Sequence, residues 1–228
     1  LTGLDQNKPT VTNVLTGING QINTPITTDG TYLYFGTWPG GSNAGTYYQV
    51  KLSDYSVKTF TPDSYGFYWA GAVSDGTNVY FGSDNGLLYW RSIADFDTTG
   101  GVLDLTDVAS DAGNVRSTVM LDDGYLYFTT QGGHLWCCSY DDGLTVEWHK
   151  KLGATSTSTP TKVGDRIYVG YYSGFNAGGV QCVSADGSSV KTVVEGDGFP
   201  VQSSIVVMGD GTGTDYLYFN TNAQKGVG

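Results

Sequence analysis

The chain has 228 residues, 39% of them hydrophobic and only 14% charged, which is too apolar and too weakly charged for a disordered segment. Its formal charge of −11, from 22 acidic against 11 basic residues, repels phosphate backbones and anionic lipid heads and argues against nucleic acid and membrane surfaces as partners. No stretch approaches the roughly 18 apolar residues of a membrane span.

Gly contributes 34 residues and Tyr 17, against 2 Met, a balance that favours short strands joined by tight turns. The chain begins at Leu1 with no apolar leader and reads as a mature or excised segment of something longer. Cys137, Cys138 and Cys182 form neither a disulfide framework nor a zinc-spaced set. Acidity, low Lys and abundant Thr, Ser, Gly and Tyr suggest an extracellular or cell-envelope protein.

One unit recurs roughly every 40–50 residues. A Ser/Thr-rich inner strand comes first, then a turn with Asp and Gly, then an aromatic pair in an alternating strand. In chain order the inner strands are Asn23–Ile26, Ala70–Val73, Ser117–Val119, Ser158–Thr161 and Ser203–Ile205. The turns are Asp29-Gly30, Asp75-Gly76, Asp123-Gly124, Gly164-Asp165 and the longer loop from Asp210 to Asp215. The anchors are Tyr34-Phe35, Tyr80-Phe81, Tyr127-Phe128, Tyr168-Val169 and Tyr218-Phe219. Third strands such as His134–Cys138 and Gly179–Val183 follow, and a fourth such as Val146-Glu147-Trp148. Four strands per unit is the blade of an all-β propeller of antiparallel blades. The reading is a single β-propeller domain over 1–228, with approximate blades 20–65, 66–112, 113–153, 154–198 and 199–228, the last completed by 1–19. Gly226-Val227-Gly228 begins a third strand that Leu1–Asp5 continues, parallel to Val180–Asp186. Both a closed five-bladed ring and five blades of a seven- or eight-bladed ring satisfy this pattern.

The blades resemble the pyrroloquinoline-quinone-type propeller repeat, in which a strand ending in Leu-Asp leads to a Gly turn and then to a Trp that docks between blades. Ser139–Trp148 carries this best, Ala185-Asp186-Gly187 carries it without the Trp, and Leu4-Asp5 matches its start. Residues 10–228 also resemble a group of prokaryotic cell-surface propeller proteins, through Gly66–Val73, Val115–Thr118, Tyr127–Gly133, Ser156–Pro160 and Gln202–Ser204. That group looks seven-bladed, and this chain matches its later blades. The resemblance implies location more than activity.

Quinone-dependent dehydrogenases carry a vicinal disulfide, so Cys137-Cys138 is the pair to weigh. It lies in a strand rhythm that sends the two sulfurs to opposite faces, and the pair reads as buried small residues. Asp95–Gly100 and Gly209–Asp215 are Asp/Gly loops able in principle to hold calcium, but neither follows the EF-hand pattern, and solvated turns suit them better. Ser139–Thr145 resembles the Asp-box turn of sialidase-like propellers, a folding device. A sialidase needs three converging arginines, and Arg91, Arg116 and Arg166 are not spaced to converge. His134 and His149 sit on adjacent strands with no nucleophile elbow to support a triad.

The loops leading into the innermost strands reach the mouth of the central channel. They bring Gln21, Asn23, Tyr65, Tyr68, Trp69, Asn114, Arg116, Ser158 and Gln202 there, with Thr157 beside them. Aromatics among amides and hydroxyls suit a flat polar ligand such as a sugar, or a peptide segment. The tips Trp38–Gly41 and Tyr171–Phe175 offer exposed aromatics for protein contact, or pack on their own blade. The reading is a non-enzymatic extracellular binding or scaffold module for cell-surface proteins or glycan, with self-assembly through open blades as a further outcome and no catalytic residue, cofactor or metal assigned. The alternative is a quinone-dependent dehydrogenase-like or glycan-acting enzyme with its site at the same mouth.

Overall fold

The computed structural model describes residues 15–209, 211 and 214–222. The fold is an all-β propeller of five repeats. The first four are four-stranded antiparallel sheets in simple meander order, each strand pairing with the next. Repeat 1 comprises β1 (Thr27–Thr28), β2 (Tyr32–Gly36), β3 (Tyr47–Lys51) and β4 (Val57–Phe60). Repeat 2 comprises β5 (Val73–Ser74), β6 (Asn78–Gly82), β7 (Leu87–Ser92) and β8 (Gly100–Asp104). Repeat 3 comprises β9 (Met120–Asp122), β10 (Tyr125–Thr130), β11 (His134–Ser139) and β12 (Thr145–Lys151). Repeat 4 comprises β13 (Thr161–Val163), β14 (Arg166–Ser173), β15 (Ala177–Ser184) and β16 (Val190–Asp197). Repeat 5 is described as the hairpin β17 (Val206–Gly209) and β18 (Asp215–Tyr218). The segments expected to complete it, Gly226–Gly228 and Leu1–Asp5, lie outside the described residues. Among the described residues the only helical turns are two single 3-10 turns, Asp84–Gly86 and Leu105–Asp107.

The period of two explains how the blades stack. In each of the first four anchors the Tyr packs toward the following blade and its neighbour toward the preceding side. Tyr34 joins Phe67, Val79 and Phe81 between repeats 1 and 2, while Phe35 joins Tyr48 and Val50 on the opposite face, covered by Leu15 and Ile18. Tyr80 packs with Leu126, Phe128 and Trp136 between repeats 2 and 3. Tyr127 packs with Ile167 and Val169 between repeats 3 and 4, and Tyr168 with Ile205, Leu217 and Phe219 between repeats 4 and 5. The core is thus divided among the blade interfaces, and each interface needs both neighbours.

The turns before the anchors are fixed by their aspartates. Asp29 accepts from the backbone N–H groups of Thr31 and Tyr32 and from the Tyr34 hydroxyl, at 2.7–2.8 Å. Asp75 repeats this with Thr77, Asn78 and Tyr80. Each carboxylate thereby ties the turn to the aromatic anchor five residues past it.

The innermost strands are shorter than the sequence suggests. Asn23–Ile26, Ala70–Ala72 and Ser203–Ile205 run outside the ladders. Their hydroxyls replace ladder hydrogen bonds, which is why this part of the repeat is rich in Ser and Thr. The Thr24 hydroxyl donates to the Gly36 carbonyl and accepts from its N–H. Ser117 does the same at Thr129, and Ser203 at Asn220. Ser156 donates to the Gly170 carbonyl at 2.7 Å.

The glycine after the anchor has a packing cause. A Cβ on Gly36, Gly82 or Gly170 would meet Phe67, Val115 or Val201 at 2.2–2.4 Å, in each case a residue of the connector entering the next repeat. Repeat 3 carries Thr129 there, and its hydroxyl donates to the Ser158 carbonyl of the connector at 2.8 Å. Gly82→Ala is therefore expected to destabilise by about 2 kcal/mol, the range for overpacking a filled site. Urea unfolding measures it, and a loss below about 0.5 kcal/mol contradicts this packing account.

Candidate functional site

The site begins at the β6–β7 hairpin tip. Asp84-Asn85-Gly86 form a tight turn with Asn85 at φ +69, held by Asn85 N–H donating to Asn114 Oδ1 at 2.7 Å. The Ser83 hydroxyl donates to the Gly66 carbonyl at 2.9 Å. This turn places the buried Asp84 carboxylate toward the connectors into repeats 2 and 3.

Three donors converge on it. Arg116 Nε reaches Oδ1 and Nη2 reaches Oδ2, both at 2.8 Å, a bidentate pair. Trp38 Nε1 donates to Oδ2 at 3.3 Å. The guanidinium also lies 4.5 Å from the Tyr68 ring centroid. Tyr68 in turn sits 4.9 Å from Trp38 and 4.6 Å from Trp69. One carboxylate therefore organises an aromatic row, Trp38–Tyr68–Trp69, that ends in Trp69 with 41% of its surface exposed. Tyr65 and Trp69, at either end of that connector, hold φ of +63 and +61, a conformation that costs a non-glycine residue energy.

Trp69 borders a cavity of about 370 Å³ to which every repeat contributes. Pro25 comes from repeat 1, Trp69 from the connector into repeat 2, Arg116 and Thr118 from that into repeat 3, and Thr157 and Thr159 from that into repeat 4. Gln202, Ser203 and Ser204 come from repeat 5. The lead-in segments of all five repeats thus meet at one cavity, at the place where the sequence pattern expects the channel mouth.

Of the residues singled out in sequence, Trp69, Arg116, Thr157 and Gln202 line this cavity, and the Tyr68 ring lies against the Arg116 guanidinium. Gln21 pairs with Trp38 through the backbone, and Asn23 Nδ2 donates to Gln21 Oε1. The backbone of Tyr65 bonds Ser42 and Gly45. Asn114 holds the Asp84 turn and donates to Gln131 Oε1 at 2.9 Å. Ser158 is fully buried, and its carbonyl receives Thr129. None of these five lines the cavity. Trp38, read in sequence as an exposed tip, is half-buried against Tyr68, whereas Phe175 on the other tip is 67% exposed. Asp84 was not among the candidates; only its place in an Asp-Asn-Gly hairpin tip hinted at it.

Cys137 and Cys138 are both free. Cys137 packs with Leu135 and Tyr127 toward repeat 4, Cys138 with Trp136 and Phe128 toward repeat 2, so the strand alternation separates the sulfurs. Burial pushes the Cys137 thiol up to about 11, which keeps it protonated and unreactive.

The histidines form a second polar cluster. His134 and His149 meet through their Nδ1 atoms at 3.1 Å, and His134 Nε2 lies 3.0 Å from Asp111 Oδ1. Lys151 donates to Asp111 and to the Gly132 carbonyl. Lys151 Nζ also lies 3.2 Å from His134 Nε2, so the tautomer of the pair decides which ring nitrogen donates. Burial, then the Lys151 charge, holds the His134 pKa below its usual value. The cluster staples the loop carrying Asp111 onto repeat 3, and among the described residues no hydroxyl bonds either imidazole.

Arg91 donates to the Phe96 carbonyl inside repeat 2, and Arg166 lies at the exposed start of β14, so neither joins Arg116. Among the described residues no group of three or more His, Cys, Asp or Glu is placed to hold a metal ion.

No protein-family model matches the chain, and no curated protein matches it. Among solved structures it is similar to a europium-containing methanol dehydrogenase, with 19% identity and a TM-score of 0.44 over 57% of this chain. It is similar to the quinohemoprotein alcohol dehydrogenase ADHIIG from Pseudomonas putida HK5, with 18% identity and a TM-score of 0.45 over 58% of this chain. It is also similar to BamB from Moraxella catarrhalis, with 13% identity and a TM-score of 0.41 over 89% of this chain and 83% of that one. The chain spans 24% and 21% of the lengths of the two dehydrogenases. Likeness at this level is silent on chemistry and partners.

Proposed function

We propose that the chain is a non-enzymatic binding module of an extracellular or cell-envelope protein, and that it holds its ligand at the channel mouth. The observation that carries this is the five-repeat cavity bordered by an exposed, conformationally strained Trp69 and by a carboxylate-neutralised Arg116. Backbone strain at an exposed aromatic persists where surrounding structure holds it for use. The lining supports binding over catalysis: it holds hydroxyls, an amide and an aromatic, and the nearest carboxylate is occupied by two guanidinium bonds and one indole bond. General acid–base chemistry needs a group free to move a proton. The acidic, Lys-poor surface supports an envelope or extracellular setting, and no helix of the described residues is long and apolar enough to cross a membrane. The rigid blades around the mouth offer a platform for neighbouring surface proteins.

Ligand-observed NMR against a mixed set of neutral, anionic and peptidic small molecules tests this, with the same set incubated to look for turnover. Binding without turnover that disappears in Trp69→Gly is expected. A dye-linked alcohol oxidation that appears on adding pyrroloquinoline quinone and calcium overturns it, as does the failure of every compound to bind in a Trp69-dependent way.

A further inference from the structure

We infer that the ligand taken at the mouth is an uncharged carbohydrate, a neutral glycan end whose sugar ring stacks on Trp69; this rests on the binding reading above. Charge decides first. The Arg116 guanidinium is held by Asp84 in two 2.8 Å bonds, so the mouth offers an anion no free counter-charge. A cation finds no free carboxylate, because Asp84 is the acid that reaches this network and its oxygens are occupied. The −11 charge of the whole chain further disfavours sialylated or uronic chains.

Shape and polarity decide next. Trp69 offers one flat aromatic surface, fixed by Tyr68 at 4.6 Å, which Arg116 and Trp38 hold in turn. Around it the cavity has uncommitted hydrogen-bonding groups: among the described residues the Thr118 and Ser204 hydroxyls make no hydrogen bond. Gln202 Oε1 accepts from Asn222, leaving its amide nitrogen free to donate. A pyranose has an apolar C–H face to lay on an indole and a rim of hydroxyls that both donate and accept, which matches this lining. The cavity volume of about 370 Å³ lies in the ordinary range for a small-ligand site, roughly 300–1,000 Å³. A peptide segment would bring backbone groups in an extended row, whereas the mouth presents its donors and acceptors from separate repeats around a single ring face.

The test uses the intact chain on an array of neutral and anionic glycans, followed by calorimetric titration with maltose, lactose, chitobiose, sialyllactose and triglycine. Binding of at least one neutral glycan is expected, weakened about tenfold or more in Trp69→Gly. Glycine relieves the strain at φ +61, which offsets part of the packing lost with the ring, so the thermal midpoint of that variant is expected to fall by no more than a few degrees, and a loss of binding then reports on the ring and not on folding. Asp84→Asn, which leaves the Arg116 charge uncompensated, is expected to gain measurable affinity for sialyllactose. Trp69-dependent binding of triglycine or of sialyllactose alone overturns the carbohydrate assignment while sparing the binding reading. Absence of any Trp69-dependent binding, on the array and in the fragment set, overturns both. A fall in the thermal midpoint of Trp69→Gly of several degrees assigns Trp69 to packing and likewise removes the inference.

Discussion

Replacing Trp148 by Ala is expected to lower the stability of the chain by about 3 kcal/mol, the lower end of the range for truncating a large aromatic because the ring is only half-buried. Trp148 projects from β12, the outermost strand of repeat 3, and its ring lies flat against the β15–β16 turn of repeat 4. A Cβ built on Gly187 in that turn would come within 2.5 Å of the indole. Gly187 itself holds φ +70, so the turn needs glycine both for its backbone and for the ring pressed upon it. On its inner side Trp148 packs with the Tyr127, Leu135, Cys137, Ile167 and Val183 cluster that joins the two blades. Truncation therefore opens the interface between repeats 3 and 4 without disturbing either sheet's ladder. Urea unfolding should show the loss, and hydrogen exchange should show it concentrated in β10–β11 and β14–β15. A loss below about 1 kcal/mol, or exchange spread evenly over all blades, contradicts docking at this turn. Gly187→Ala is expected to act at the same interface and to be non-additive with Trp148→Ala, because the smaller residue removes the clash that the added methyl creates.

The blades were legible because their signal is local and periodic. Tyr80-Phe81 or Tyr127-Phe128 in an alternating strand after Asp-Gly has few other readings, and the parity of each pair decides which blade it faces. The innermost strands were over-read for a related reason. A Ser or Thr that latches the neighbouring strand through its hydroxyl, as Thr24 and Ser117 do, looks in sequence the same as one that sits in a ladder. At the mouth, Trp69, Arg116 and Gln202 were legible because a segment leading into an innermost strand must pass the channel. Asp84 was not, because its partner Arg116 lies 32 residues away and only the folded connectors bring them together. Trp38 shares that cause: its burial depends on Tyr68, from the following connector, and no pattern within its own hairpin announces the contact.

Asp84→Ala is expected to cost about 3 kcal/mol, the level at which breaking a largely desolvated ion pair leaves one charge without its partner. Side-chain exposure is 17% for Arg116 and 7% for Asp84, so the pair is mostly but not wholly removed from water. The cost stays at the lower end because the freed guanidinium can turn toward the cavity it already lines. One further loss accompanies it: the Trp38 indole N–H has no acceptor, while the hairpin tip keeps its bonds to Gly66 and Asn114. Asp84→Asn keeps one acceptor oxygen, able to take Trp38 Nε1 and Arg116 Nη2, but turns an NH2 toward Arg116 Nε and leaves the guanidinium charge unpaired, and is expected to cost about 2 kcal/mol. Arg116→Met, which leaves the carboxylate bonded to Trp38 alone, should fall between the two. A double-mutant cycle on Asp84 and Arg116 measures the coupling. A value of about 2 kcal/mol or more is expected for a bidentate, partly buried pair, and one near zero shows that water replaces the partner without cost. The cycle bears on the mouth as well as on stability, since the same two bonds keep Tyr68 and Trp69 in register. If the coupling is large, the aromatic surface is pre-organised before any ligand arrives, and binding loses little freedom on ordering it.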